Sequence, residues 1–206
     1  MERTNADTAS AWDGVWKDSE FQTTYNEIFE HFDVGLKMKY MRGKILEAGS
    51  GNGHFVKFFN DIGGGRECWG IDLSPKGVEM SNKNVGADKI ILGDVKAMPF
   101  ADRFFDSVIS LGVIEHDKHP ELLVNEMARV LKKGGVLYCT VPKRYHWWII
   151  QKTYLSWLGK FSPGYAQSYS KARLRKVLEA GGFKIIRYIP KSDLSTYMFG
   201  FVAEKK

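Results

Sequence analysis

The segment Lys44-Ile45-Leu46-Glu47-Ala48-Gly49-Ser50-Gly51-Asn52-Gly53-His54-Phe55 constrains this chain most, because a short apolar strand runs straight into a turn with glycine at every second position. Glycine adopts positive φ without steric cost and has no Cβ to hold a ligand away from the backbone. Three glycines in alternation therefore suit a turn wrapped against a bound molecule. The pattern predicts a helix after the turn, from about Phe55 to Asn60. A nucleotide-like cofactor is the expected occupant, and the bland alternative is a glycine turn closing an ordinary strand-helix unit. The dinucleotide fingerprint G-x-G-x-x-G, counted from Gly49, needs its third glycine at position 54, where this chain has His54. What stands here is an acid, Glu47, followed by glycine at 49, 51 and 53.

Acids recur at the ends of further apolar runs. Cys68-Trp69-Gly70-Ile71-Asp72-Leu73-Ser74 is a second strand whose terminal carboxylate lies about 20 residues beyond the loop, where a Rossmann-type sheet places the acid for ribose hydroxyls. Ile90 to Leu92 leads to Gly93-Asp94 and then Val95-Lys96-Ala97-Met98-Pro99-Phe100. Phe105 to Ser110 leads to Leu111-Gly112-Val113-Ile114-Glu115-His116-Asp117. Any one of these acids, alone, reads as a turn aspartate. Taken in this order, the stretches resemble the class I S-adenosylmethionine-dependent methyltransferases, specifically the type 11 methyltransferase domain family.

The resemblance covers about residues 40 to 205 and implies S-adenosylmethionine as cofactor, S-adenosylhomocysteine as product and no metal. It implies that Gly49, Ser50, Gly51, Asn52 and Gly53 bend around the amino-acid end of the cofactor while Glu47 helps bind its ammonium. Asp72, with Leu73, would meet the ribose. Asp94 would meet the adenine amino group, with Val95 and the apolar residues after it on the ring, and Leu111 would open the segment beside the methionine part. Charge logic agrees: a carboxylate suits a sulfonium cation better than a pyrophosphate, which prefers bare amides and a helix N-terminus. The fold implied is an α/β Rossmann-like three-layer sandwich, its seven-stranded, mostly parallel sheet ordered 3-2-1-4-5-7-6 with an antiparallel C-terminal hairpin.

Periodicity fills in the rest. Glu121 to Leu131 is a helix with Leu123, Met127, Val130 and Leu131 on one face, ended by Lys132-Lys133-Gly134-Gly135. Val136 to Val141 is the fifth strand. Lys171 to Ala180 is a helix with Leu174, Val177 and Leu178 inward, stopping at Gly181-Gly182. Phe183 to Ile189 and Thr196 to Val202 are the last strands, joined by a turn around Pro190 to Asp193. A length of 206 residues at 44% hydrophobic content fits one methyltransferase domain over 1–206, with an N-terminal helical cover at 1–39 and a lid-like insert at 143–168. Only two cysteines occur, Cys68 and Cys139, both in predicted strands, which argues against a disulfide framework or a cysteine zinc site. With no apolar leader and no run of roughly 18 apolar residues, the protein is expected to be cytoplasmic.

Methyl transfer from a sulfonium asks mainly for alignment of the nucleophile. Where the acceptor is a hydroxyl, His116 is the best placed base, since it follows the fourth strand at the carboxyl edge of the sheet. The competing role for His116 is structural, as a hydrogen-bonding or capping residue. Glu115 and Asp117 read as ordinary exposed acids, and His146 is a weaker candidate than His116. Trp12, Trp16, Phe21, Tyr25, Phe29 and Phe32 recur every three to five residues, as in an amphipathic helical region across the cofactor or acceptor opening.

Charge is uneven. Between Glu126 and Glu179 there is no acid, while eleven basic residues occur: Arg129, Lys132, Lys133, Lys143, Arg144, Lys152, Lys160, Lys171, Arg173, Arg175 and Lys176. The remainder has 19 basic and 24 acidic residues, so this one region makes the whole formal charge of +6. Within it, Trp147, Ile150, Tyr154 and Trp157 share a helical face broadened by Trp148, Leu155 and Leu158. Three readings compete: a lid helix packed on the sheet edge, a peripheral contact with an anionic membrane through Tyr145 to Lys160, and a nucleic-acid contact, which no recognisable RNA-binding module accompanies. The acceptor is expected to be a small molecule, hydrophobic or anionic, and carbon, nitrogen and oxygen acceptors all fit. A methyltransferase of RNA or lipid, a non-catalytic S-adenosylmethionine-binding protein and a nicotinamide oxidoreductase are the competing functions.

Overall fold

The computed structural model describes residues 5–17, 39–86, 89–142, 166–190 and 198–206. Its strands are β1 (Lys44–Ala48), β2 (Glu67–Asp72), β3 (Ile90–Leu92), β4 (Phe105–Leu111), β5 (Leu131–Pro142), β6 (Phe183–Ile189) and β7 (Met198–Lys205). They form one seven-stranded sheet in the order β3-β2-β1-β4-β5-β7-β6. β1 to β5 pair in parallel, and β7 is antiparallel to both β5 and β6. This is the Rossmann-like order and C-terminal hairpin expected from the sequence. The chain winds outward from β1 to β3 on one side and from β4 to β5 on the other, so the carboxyl ends of β1 and β4 flank the switch point where open α/β sheets bind ligands.

Both faces of the sheet are buried, which is why its strands are apolar runs. On one face Leu46, Val108, Leu137 and Phe201 pack with Leu123 and Met127 of α4 (Pro120–Val130) and with Leu174 and Leu178 of α5 (Lys171–Ala180). On the other, Ile45, Ile109, Tyr138 and Val202 pack with Phe55 and Phe59 of α2 (His54–Ile62). α1 (Asn5–Lys17) and α3 (Pro75–Val85) complete the described helices. Cys68 and Cys139 are free and buried in β2 and β5, where burial pushes both thiols well up.

Several boundaries differ from the sequence reading. Residues 75–85 show no clear apolar period, yet they are helical. Ser74 Oγ accepts the Gly77 N–H at 2.9 Å and Pro75 stands at the first helical position, so capping starts α3 where hydrophobic pattern does not. β5 begins at Leu131, not Val136, because Leu131 pairs with Phe105 across a bulge and the intervening lysines and glycines are carried within the strand. β7 runs to Lys205 because its outer end pairs with Phe183 of β6. The aromatic insert around Tyr145 to Lys160 and residues Phe21 to Phe32 lie outside the described residues.

Candidate functional site

The β1–α2 turn is left-handed at each glycine, with φ of 78° at Gly49, 51° at Gly51 and 76° at Gly53. Its amides are tied to the protein. Gly49 N–H and Ser50 N–H both donate to Ile71 O, at 2.8 and 3.0 Å, and Gly53 N–H donates to Ser50 O at 2.8 Å. Gly51 N–H donates to Asp72 Oδ2 at 2.8 Å. The loop carbonyls are held as well: Ser81 Oγ donates to Gly51 O at 2.6 Å and Asn84 Nδ2 to Asn52 O at 3.0 Å, both from α3. A side chain at Gly51 would collide with the Trp16 ring, and one at Gly53 would meet Ser81 and Val85 of α3. The alternation of glycines thus lets α1 and α3 approach the turn, a second reason for those residues beside any ligand. Ser50 is fully buried, with its hydroxyl on the side of Gly70, so its side chain faces the sheet.

The strand-end acids occupy different environments. Glu47 is 2% exposed, on the α2 side of the sheet, and its charge adds to burial in raising the Cys68 thiol. Asp72 uses both oxygens on backbone amides, Oδ2 on Gly51 and Oδ1 on Ser74 at 2.8 Å. Burial lifts its pKa even so. Asp94 Oδ1 accepts the Lys96 N–H at 2.8 Å, and Lys96 Nζ lies 3.9 Å from Asp94 Oδ2 and 2.8 Å from Asp117 Oδ2. Lys96 therefore links the turn after β3 to the turn after β4. Leu73 and Leu111 are half-buried at the ends of β2 and β4, whereas Val95 is buried in the core with Met98 and Phe105.

The segment after β4 makes a 3-10 turn at Ile114–His116. His116 is largely covered, with Nε2 3.8 Å from Glu115 Oε1 and its ring edge-on to Trp12 at 4.8 Å between centroids. Glu115 and Asp117 are not the exposed acids expected. Glu115 is 1% exposed, folded under the turn, and the Gln167 N–H donates to its backbone carbonyl at 2.8 Å. Asp117 is mostly covered. Burial pushes its carboxyl up, but the Lys96 ammonium and the His119 N–H outweigh that and hold it below the ordinary range.

α1 ties these parts together. Trp12 and Trp16 are four residues apart, hence on one helix face. Trp16, 4% exposed, packs on Gly51, while Trp12 meets His116. Between them Asp13 Oδ1 accepts from Ser74 Oγ at 2.5 Å and from the Lys76 N–H at 2.9 Å at the start of α3. The aromatic repeat pointed to Trp12 and Trp16, but nothing in sequence marked Asp13 or Lys96 as partners. Across the sheet edge, then, the β1 turn, Asp72, Asp94 and His116 are brought together.

Among the described residues no cluster of three or more His, Cys, Asp or Glu side chains is placed to hold a metal, and no helix is long and apolar enough to cross a membrane. Residues 46–139 match a family model described as a methyltransferase domain. A malonyl-[acyl-carrier protein] O-methyltransferase of Erwinia pyrifoliae is 35% identical over 101 residues, 48% of this chain and 38% of that protein. An S-adenosylmethionine-dependent methyltransferase of Mycolicibacterium smegmatis is 28% identical over 68% of this chain and 52% of its own length. The chain thus spans about half the length, or less, of these curated relatives. Among solved structures, a chain from the complex between the Haloferax volcanii Trm112 methyltransferase activator and a methyltransferase superposes with a TM-score of 0.75 at 19% identity, covering 94% of this chain and 96% of that one. With its sheet order, its glycine turn at the end of β1 and a methyltransferase-domain match over residues 46–139, the chain is similar to the class I S-adenosylmethionine-dependent methyltransferases.

Proposed function

We propose that the chain binds S-adenosylmethionine at the carboxyl edge of β1, β2, β3 and β4 and transfers its methyl group to a small acceptor. The observation that carries this reading is how the glycine turn spends its amides. The N–H groups of Gly49, Ser50, Gly51 and Gly53 are bonded to Ile71 O, Asp72 and Ser50 O, so those four amides do not offer a pyrophosphate the donors it needs. The charged group at this strand end is the buried carboxylate of Glu47, which suits an ammonium or sulfonium.

The donor set fits the cofactor. Glu47 would hold the ammonium, the second lone pairs of the Asp72 oxygens the ribose hydroxyls, and Asp94 the adenine amino group, with Gly49 to Gly53, Leu73, Val95 and Leu111 lining the path. When bound, the cofactor supplies an electrophilic methyl group on a sulfonium. The protein's own contribution is to align the acceptor and exclude water. α1 serves as the cover through Trp12 and Trp16, and His116 beneath it takes the proton from a hydroxyl acceptor. The name of the Erwinia relative, an O-methyltransferase of a malonyl group on an acyl-carrier protein, supports an oxygen acceptor. Calorimetry on the purified protein tests the reading: binding of S-adenosylmethionine and its demethylated product without binding of NAD is expected, and preference for NAD would overturn it. Methyl transfer itself is tested by incubation with labelled donor and a metabolite extract, where label appearing in no product would leave a binding protein only.

A further inference from the structure

Seven cations elsewhere in the described structure are paired with acids. Lys57 meets Asp61, Lys76 and Lys83 meet Glu79, Lys89 meets Glu67, Lys96 meets Asp117, Arg129 meets Glu126 and Asp102, and Lys132 meets Asp106. α5 gathers four that are not. Lys171, Arg173, Arg175 and Lys176 are all exposed, and among the described residues none has a carboxylate within salt-bridge distance. Three of them rest on rings instead: Lys171 Nζ is 3.5 Å from the Tyr188 centroid, and the guanidinium carbons of Arg173 and Arg175 are 4.6 Å from Tyr169 and 5.7 Å from Phe201. Stacking orders the side chains without neutralising them.

The start of α5 is rooted at the candidate site. Gln167 donates from its backbone to Glu115 O at 2.8 Å and from Nε2 to Asp117 O at 2.5 Å, and Arg173 in turn donates to Gln167 Oε1. Through one residue the basic face is joined to the turn that carries His116. We infer that the exposed face of α5 docks a small acidic carrier protein, which presents a tethered acceptor to the site next to it. This rests on the methyl-transfer reading above.

Two other polyanions fit less well. Single-stranded nucleic acid is bound on exposed rings as well as cations, yet Tyr169 and Phe201 are fully buried and Tyr188 is partly so. An interfacial helix sinks an apolar face into lipid, whereas Leu174 and Leu178 of α5 are spent on the protein core. What remains outside is charge, which meets a complementary protein surface as steering and register.

The test uses the full chain and an acyl-carrier protein labelled for fluorescence anisotropy. Expected are saturable binding at low salt, weakening about tenfold or more at roughly 0.5 M salt, and a similar loss in the Arg175→Glu/Lys176→Glu variant, with Lys171→Glu as an independent second variant. Binding of S-adenosylmethionine by these variants, measured in parallel, reports that they are folded. Absence of carrier binding, binding indifferent to charge reversal, or charge-sensitive binding of RNA or of phosphatidylglycerol vesicles in its place would overturn the inference. A protein that binds S-adenosylmethionine but no carrier loses this inference alone, whereas one that fails to bind S-adenosylmethionine loses the proposed function.

Discussion

Gly51 carries three constraints at once. Its φ is 51°, its N–H is held by Asp72, and its absent side chain makes room for the Trp16 ring. Gly51→Ala adds a backbone cost of about 1–2 kcal/mol and pushes the ring off the turn. The expected result is a melting temperature lower by roughly 3–8 °C and S-adenosylmethionine affinity weakened about tenfold or more, read by scanning calorimetry and titration. An unchanged affinity would show that the turn does not touch the cofactor. His116 sits under Trp12 with Glu115 behind it. His116→Ala is expected to lower turnover at saturating cofactor while leaving cofactor binding intact, and equal turnover in the two proteins would take His116 out of the mechanism. Asp72 shows how a residue can be located from sequence while its local work is not. Its interval from the loop was readable, but its hold on the Gly51 and Ser74 amides is visible only when β2 lies beside the turn.

At the scale of elements, α1 depends on the rest of the fold more than the sheet depends on α1. It attaches through the Trp16 ring, the Asp13 cap on α3 and the Trp12 edge. Trp16→Ala removes a side chain whose burial in a core is worth about 3 kcal/mol or more. The expectation is that α1 amides lose hydrogen-exchange protection while those of β1, β4 and β5 keep theirs; equal loss throughout would mean that α1 is part of the global core. α3 makes a related point about legibility. Its start was announced by Ser74 and Pro75, but its weak apolar pattern concealed it, because much of its buried surface is small, Gly77 and Ser81. Helix α4 is the opposite case. Its period was plain, yet its Arg129 also donates to Met98 O and Phe100 O, and Glu126 accepts the Met98 N–H, so α4 clamps the turn after β3.

Across the whole molecule, acid stability follows from the carboxylates that the fold has paired. The bond from Arg129 holds Glu126 below its ordinary range. At Asp106 burial pushes upward, but Lys132 and the Lys44 N–H outweigh it, and Asp117 is lowered in the same way. A carboxyl lowered in the folded state contributes stability above its unfolded pKa and loses it as pH falls through the folded value. Asp72, raised by burial, works in the reverse sense, since its ionisation favours the unfolded chain. Exposed Glu79 is lowered too, by its bonds from Lys83 and Lys76, so that four lowered carboxyls stand against one raised among the described residues. The urea midpoint is expected to fall between about pH 5 and pH 3, and Glu126→Gln to flatten that slope while costing about 1–2 kcal/mol at neutral pH. A midpoint that rises on acidification would show that Asp72 dominates instead.

The sequence by itself determined the strands, the order of their terminal acids and the glycine turn, because apolar runs, glycine spacing and strand-to-acid intervals are local properties of a chain. The order of the strands in the sheet came from the family resemblance those motifs carry. It also located the excess of positive charge. Contacts between distant segments were decided only by the tertiary structure. Glu115 and Asp117 look like surface acids in sequence, and become covered because the 3-10 turn folds one beneath Gln167 and sets the other on Lys96. The glycines of the turn look like ligand residues, and prove also to be the clearance for Trp16 and α3. The cations of α5 look like part of a long basic run, and stand apart because folding paired Arg129 and Lys132 but placed no carboxylate beside Lys171 or Lys176 among the described residues. Burial and pairing depend on what else arrives at the same place, and no interval along the chain carries that information.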